Sequence, residues 1–238
     1  GIPQVDALTG GLPRGGLTEI CGPASSGRTS LLLSVLAQAT AREEVCALVD
    51  AGDAFDPHSA SAAGVDLKRL LWVRCGRVSS FKFRVSSKTG RRETRNVKRE
   101  TLSRVEQALR ALDLLLQAGG FGLIALDVGD IPAQIVCVPL TSWFRFRRAV
   151  ENTSTVLLVL EAEASAKSCA SLVLENQQSA LSTQPSALSI QQSATAPTHA
   201  RLLQELQISV EVLNSRIAQR KPIGSTSTEF AAHALWVS

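Results

Sequence analysis

The chain has 238 residues, of which 45% are hydrophobic and 19% charged, and its formal net charge at pH 7 is +4. That length and apolar content are sufficient for one domain with a full core. No apolar run approaches the ~20 residues that a membrane-spanning helix requires, so we expect no membrane contact. Its five cysteines contain no CxxC pair, which favours buried free thiols in a reducing cytosol over a metal site.

The first strongly patterned segment is a strand, a glycine-rich loop and a helix. Leu17–Cys21 is predicted to be a buried strand, and residues 30–39 a helix. The loop between them matches G-x-x-x-x-G-K-[ST], except that Arg28 replaces the lysine. In such a loop, backbone N–H groups at a helix N-terminus bind phosphate, and the Ser/Thr hydroxyl binds Mg²⁺. We therefore expect a nucleotide site formed by Gly22, Ser25, Ser26, Gly27, Arg28, Thr29 and Ser30.

Arginine is not a conservative replacement for the lysine of this loop. It keeps the positive charge, but its guanidinium is longer, planar and forked. The substitution at Arg28 therefore leaves two possibilities open. The chain is a working nucleotidase, or it keeps the fold of one without the activity.

Beyond the loop, apolar strands alternate with helices. The clearest helix covers residues 101–118, with Ser103 and Glu106 as a capping box. Four further strands are predicted at residues 45–50, 70–75, 121–128 and 155–161. This alternation predicts an α/β fold with a mostly parallel central sheet flanked by helices. Residues 207–213 and 229–236 alternate like half-exposed strands and predict an antiparallel C-terminal extension of the sheet.

Positive charge is concentrated in residues 77–99, which hold nine basic residues and the single acid Glu93, so the rest of the chain is net acidic. We interpret this segment as a basic insertion, either a hairpin or a flexible loop. Three roles stay open: a solvated loop, contact with a nucleic-acid backbone, or docking onto an acidic protein. The candidate contact residues are Lys82, Arg84, Lys88, Arg91, Arg92 and Arg95.

A second irregular segment, residues 176–200, consists of three imperfect seven-residue copies rich in Ser, Gln and Ala. Each copy has few apolar side chains and no charge, so the segment cannot bury enough surface to order itself. We interpret it as a low-complexity linker insertion.

Several segments, in order, resemble the RecA ATPase core. The similarity begins at residues 10–29, continues through 49–57 and 63–71, and reappears at 121–127 and 210–217. The resemblance implies one RecA-like P-loop core over residues 1–238, outside the two insertions. It also implies ATP and Mg²⁺ as the only cofactors. Asp127 would be the Walker B aspartate that holds Mg²⁺ together with Thr29, and Arg216 would be the basic tip of a late strand.

The departures from the RecA pattern concern the hydrolytic residues. Gly52 lies where RecA proteins have the glutamate that activates water, with Asp53 beside it. Glu161 and Ala162 replace the Asn-Gln pair that contacts the γ-phosphate, and a carboxylate there would repel a triphosphate. Asn214 replaces a second late-strand lysine. Together with Arg28, these changes predict that ATP is not hydrolysed at a useful rate.

The segments that bind DNA in recombinases are also short here. The loops after residues 127 and 161 lack the length of recombinase loops, and the second is acidic. Residues 142–149 mix aromatic residues with arginines. They could stack on bases, but packing of an amphipathic helix on the sheet is the preferred interpretation.

A RecA-like core with these losses is similar to the ImuA group. Residues 165–174 also resemble the stretch that precedes a late strand in that group. That resemblance implies a cytoplasmic, non-catalytic adaptor in bacterial SOS-type translesion synthesis. Its implied partners are polymerase accessory proteins of the translesion machinery and RecA itself. The alternative is a divergent recombinase that binds single-stranded DNA, with Arg28 anchoring the phosphates and Asp53 as base. It also stays open whether residues 77–99 bind DNA weakly. The pocket could hold ATP as a structural ligand or be empty.

Overall fold

The computed structural model describes residues 2–75, 90–129, 131–132, 136, 138–178, 205–215 and 226–233. The helices are α1 (Pro3–Thr9), α2 (Arg28–Ala41), α3 (Pro57–Ala62), α4 (Gly90–Ala118) and α5 (Leu140–Val150). The strands are β1 (Leu17–Cys21), β2 (Cys46–Asp50), β3 (Leu70–Arg74), β4 (Leu123–Asp127), β5 (Val156–Glu161), β6 (Leu172–Gln178), β7 (Glu205–Ser215) and β8 (Ser227–His233).

The strands form one eight-stranded sheet in the order β3-β2-β4-β5-β1-β6-β7-β8. The six strands from β3 to β6 are parallel to one another. Strand β7 runs antiparallel to β6, and β8 antiparallel to β7. The predicted fold, a mostly parallel sheet with antiparallel C-terminal strands, is confirmed.

Helices cover both faces of the sheet, which is why the central strands read as continuous apolar runs. On one face, α4 and α5 pack against β1, β2, β4 and β5 in a core that includes Leu112, Trp143 and Phe146. On the other face, α1 and α2 pack against the same strands and against β6–β8, in a core that includes Leu32 and Leu36. Strands β1, β2, β4, β5 and β6 therefore send alternate side chains into two separate cores.

Three sequence interpretations differ from the structure. Helix α4 begins at Gly90, so residues 90–99 are helical and not a hairpin or loop, while 77–89 lie outside the described residues. Ser103 accordingly lies inside the helix and cannot cap its start. The linker assigned to 176–200 begins too early, because β6 extends to Gln178 through pairing with β7.

Cys21, Cys46, Cys75 and Cys169 are buried free thiols, as predicted, and Cys137 lies outside the described residues. None of the helices in the described ranges has the length and apolar character needed to cross a membrane.

The parallel order brings four strand ends together at one edge of the sheet. Asp50 is in register with Asp127, and Cys21 with Glu161. In open α/β sheets, ligands bind beyond the carboxyl ends of the strands. The glycine-rich loop and the residues that follow β2, β4 and β5 all lie at this edge.

Candidate nucleotide-binding site

The glycine-rich loop connects β1 to α2 and depends on glycine at two positions. Gly22 has φ 152°, and a Cβ there would collide with the Asn176 carbonyl oxygen and lie 2.7 Å from Ser26 Oγ. Gly27 has φ 84°, and a Cβ there would collide with the Ile208 side chain. The loop is therefore packed closely against β6 and β7, which only glycines permit.

The N-terminus of α2 is open to a ligand. Gly27 is its N-cap and no side chain caps the helix. Ser25 and Thr29 are exposed and Ser30 is half-buried. The backbone N–H groups of a first helical turn lack intrahelical acceptors and carry partial positive charge. The loop therefore keeps the local geometry of an anion site.

Arg28 lies inside the protein and not at the loop surface. Its side chain is 7% exposed, and its Nη1 donates to the carbonyl oxygen of Gly129 at 3.1 Å. A Cβ at Gly129 would collide with this guanidinium, whose Cζ would lie 2.8 Å away. The arginine thus reaches across to the residues that follow β4, a distance that its greater length permits.

Asp127, at the end of β4, belongs to the same network. Its Oδ1 accepts the backbone N–H of Gly129 at 2.9 Å, an Asx-type turn. This turn orients the Gly129 carbonyl that accepts the Arg28 bond. The side chains of Arg28, in the glycine-rich loop, and Asp127, at the end of β4, are therefore linked through Gly129.

Mg²⁺ fits this arrangement poorly. Thr29 and Asp127 supply the oxygen donors that Mg²⁺ prefers. One Asp127 oxygen, however, already accepts the Gly129 N–H. A buried guanidinium is also bonded to the carbonyl of that same glycine. A second positive charge beside it would be repelled strongly, because buried charges are weakly screened.

The position that follows β2 offers no base for hydrolysis. Gly52 has no side chain, and the Asp53 carboxylate forms a forked ion pair with Arg74 at 2.7 and 2.9 Å. The hydrogen bonds from Arg74 lower the pKa of Asp53 below its ordinary value. Arg74 itself lies over the Trp72 ring, 4.7 Å from its centroid. The carboxylate is therefore held at the β3 side of the sheet as an ion-pair partner.

Asp50, the last residue of β2, stabilises the loop that carries Gly52 and Asp53. Its side chain is buried and accepts N–H bonds from Ala54 at 3.2 Å, Phe55 at 3.0 Å and the Trp72 indole at 3.2 Å. Asp50 thereby fixes the turn that carries Gly52 and Asp53.

Glu161 does not face the loop as a repulsive carboxylate. Its alternation along β5 directs it to the face of α4 and α5, where it is 3% exposed. It lies beside Glu19 and accepts hydrogen bonds from Ser165 Oγ at 2.7 Å and Ser165 N at 3.2 Å. Burial, and then the Glu19 carboxyl, raise the pKa of Glu161 far above its ordinary value. Glu161 therefore holds a proton at neutral pH.

Two buried polar side chains lie beside the loop: Ser26, which the motif predicted as a site residue, and Asn176, which was not predicted. Ser26 is 1% exposed and Asn176 is fully buried, and neither the Ser26 hydroxyl nor the Asn176 amide has a hydrogen-bond partner among the described residues. Ser26 was predicted from the motif, but its isolation was not. Asn176 followed an apolar strand and was assigned to the linker, so no sequence signal connected it with the loop.

The basic candidates are only partly described. Arg91, Arg92 and Arg95 lie in the first turns of α4, while Lys82, Arg84, Lys88 and Arg216 lie outside the described residues. The late-strand residue Asn214 is exposed near the end of β7.

The aromatic residues of α5 are core residues. Trp143 and Phe146 are fully buried and meet edge to face at 5.9 Å. The preferred interpretation, packing on the sheet, is confirmed for these two rings, whereas Phe144 is 48% exposed.

Comparisons with known proteins agree with this architecture. Residues 4–77 match the RecA N-terminal domain. Protein RecA of Ectopseudomonas oleovorans is 39% identical over 118 residues, which is 50% of this chain and 26% of that protein. Protein RecA of Chlorobium chlorochromatii is 55% identical over 62 residues, 26% of this chain and 18% of that protein. Protein RecA of Chlorobaculum tepidum gives the same identity over the same length.

The chain spans about a quarter or less of the length of these relatives. The matched segment includes the loop, β2 and β3, and the remaining strands belong to the same sheet. The chain therefore contains a RecA-like α/β core.

Proposed function

We propose that this chain is a RecA-like accessory protein that does not hydrolyse ATP and acts through protein partners. The observation that carries the proposal is the bond from buried Arg28 to the Gly129 carbonyl. In a working P-loop, the basic side chain contacts the β/γ-phosphates. Here that side chain is engaged with the protein itself.

Water activation is the second part of the proposal. General-base catalysis needs a basic side chain within hydrogen-bond reach of the attacking water. Gly52 provides none, and Asp53 is paired with Arg74 at 2.7 Å. ATP, if it binds, is therefore a structural ligand of Gly22–Thr29. The Mg²⁺ expected at Thr29 and Asp127 is not part of this proposal, because the bonds of Asp127 and Arg28 to Gly129 make the place a poor fit for it.

The biological setting follows from the resemblance to the ImuA group. We place the chain in the cytoplasm of a bacterium, in SOS-type translesion synthesis after DNA damage. Its proposed partners are polymerase accessory proteins of the translesion machinery and RecA. Residues 77–99 and Arg216 would contribute weak contacts to DNA or to an acidic partner.

The second candidate function is a divergent recombinase, which the similarity to three Protein RecA sequences favours. In that case Mg·ATP would be required for binding to single-stranded DNA. Fluorescence anisotropy of a labelled oligonucleotide separates the two functions. The accessory function predicts the same weak binding with and without Mg·ATP. Binding that becomes tight only with Mg·ATP contradicts it and supports the recombinase.

A further inference from the structure

The Arg28 guanidinium occupies the region between the glycine-rich loop and the end of β4. Its Nη1 is 3.1 Å from the Gly129 oxygen, and the Gly129 nitrogen is 2.9 Å from Asp127 Oδ1. A Cβ at Gly129 would collide with the guanidinium, so glycine is needed there for contact. A fixed positive charge is therefore built into the place where the loop and the Walker B aspartate approach each other.

From this geometry we infer that Arg28 replaces the divalent metal, and that the loop binds the phosphoryl groups of ATP or pyrophosphate without Mg²⁺. The inference rests on the proposed function, in which the loop holds a ligand without hydrolysing it. Its chemistry is electrostatic: one buried guanidinium supplies countercharge that a hydrated cation would otherwise supply.

A second observation indicates that the loop still has a ligand to bind. The Ser26 side chain is 1% exposed, lies 2.7 Å from the Cβ position of Gly22, and its hydroxyl has no partner among the described residues. Buried hydroxyls are almost always hydrogen-bonded in folded proteins. A phosphoryl oxygen held in the concave side of the loop would accept that hydrogen bond. It would also accept bonds from backbone N–H groups at the uncapped start of α2.

A divalent metal would interfere with this arrangement. Mg²⁺ demands near-octahedral oxygen ligands and gives up its water reluctantly. To bind beside Asp127, it would have to share that carboxylate with the Gly129 N–H and approach a buried cation. Lysine at position 28 has a compact charge and no guanidinium fork, so it would release Gly129 and leave room for the metal.

The experiment is isothermal titration of the whole chain with ATP, and separately with pyrophosphate, in Mg²⁺ and in EDTA. We expect the wild type to bind both ligands with the same affinity in the two buffers. Arg28→Lys should bind about tenfold or more tightly with Mg²⁺ than in EDTA, a difference of about 1.4 kcal/mol. Arg145→Lys, which alters an exposed arginine of α5 that pairs with Asp113 of α4, is the matched control and should behave as wild type.

Three results overturn the inference: no binding of either ligand to the wild type, binding that EDTA abolishes, or an Arg28→Lys variant that stays independent of Mg²⁺. None of these three results bears on DNA binding without Mg·ATP, so the accessory function survives such a failure. Conversely, ATP-dependent DNA binding contradicts the accessory function whatever the metal requirement.

Discussion

The carbonyl group of Gly129 determines what Arg28 can do. A lysine in this loop would offer a point charge on a flexible stem, whereas the arginine fork reaches the Gly129 oxygen at 3.1 Å. Arg28 resembles a small change in a phosphate site. In the structure it links the segments that follow β1 and β4. The substitution was visible in the sequence, but its partner was not, because Gly129 lies 101 positions away and belongs to no motif.

Glu161 also has a different role in the structure from the one that the sequence indicated. In the sequence it occupied the position of a phosphate contact, which suggested repulsion of a ligand. In the fold it shares a buried site with Glu19, and the Ser165 hydroxyl bonds it at 2.7 Å. A charged residue at position 19 within an apolar strand was the available signal. The pairing itself required the parallel register of β1 with β5.

This pair predicts a pH-dependent stability. The folded state raises the pKa of Glu161 from 4.5 to about 9, so the folded chain binds a proton that the unfolded chain releases between these values. Stability should be greatest at low pH within that window and should fall as pH rises, by at most about 1.4 kcal/mol per pH unit for one proton. Glu161→Gln keeps the shape without the titration and should remove this contribution.

The measurement is the free energy of unfolding in urea from pH 5 to 9, in wild type and Glu161→Gln. Glu163→Gln, at an exposed position in the loop that follows β5, is the control and should retain the wild-type slope. Parallel pH profiles for wild type and Glu161→Gln would show that Glu161 does not hold the proton.

At the scale of elements, α5 connects the sequence pattern to the core. Trp143, Phe146 and Val150 are buried at helical spacing, and Phe144 lies on the outer side at 48% exposure. Phe146→Ala should lower the free energy of unfolding by about 3–5 kcal/mol, because it leaves a cavity beside Trp143. Phe144→Ala should change it by less than about 0.5 kcal/mol. Urea denaturation of both variants checks this, and equal costs would contradict the packing of α5.

The sequence predicted elements unevenly, for a physical reason. Strands β1, β2, β4 and β5 are buried on both faces, so their continuous apolar runs were readable. Strand β6 was missed because its second half, through Asn176 to Gln178, is polar and is held by pairing with β7. Helix α4 begins eleven residues before the predicted start, because its first turns are basic and lack the apolar periodicity that marked residues 101–118.

For the whole molecule, the sheet order accounts for the candidate site. Parallel strands β2, β4, β5 and β1 end at one edge, so residues far apart in sequence meet around the glycine-rich loop. The RecA-like core is retained at this edge, and three of its features are the basis of our proposal that hydrolysis is lost: the loop cation is bonded to the protein, Gly52 has no side chain, and Asp53 is an ion-pair partner. The core therefore serves as a scaffold in our account.

Single-turnover hydrolysis directly tests the proposal that the chain does not hydrolyse ATP. The chain, in excess over labelled ATP, is incubated with Mg²⁺ and single-stranded DNA, and phosphate release is followed beside RecA under the same conditions. Our account predicts release at the rate of the protein-free control, with or without DNA. Release that DNA stimulates to a rate comparable with RecA would contradict it.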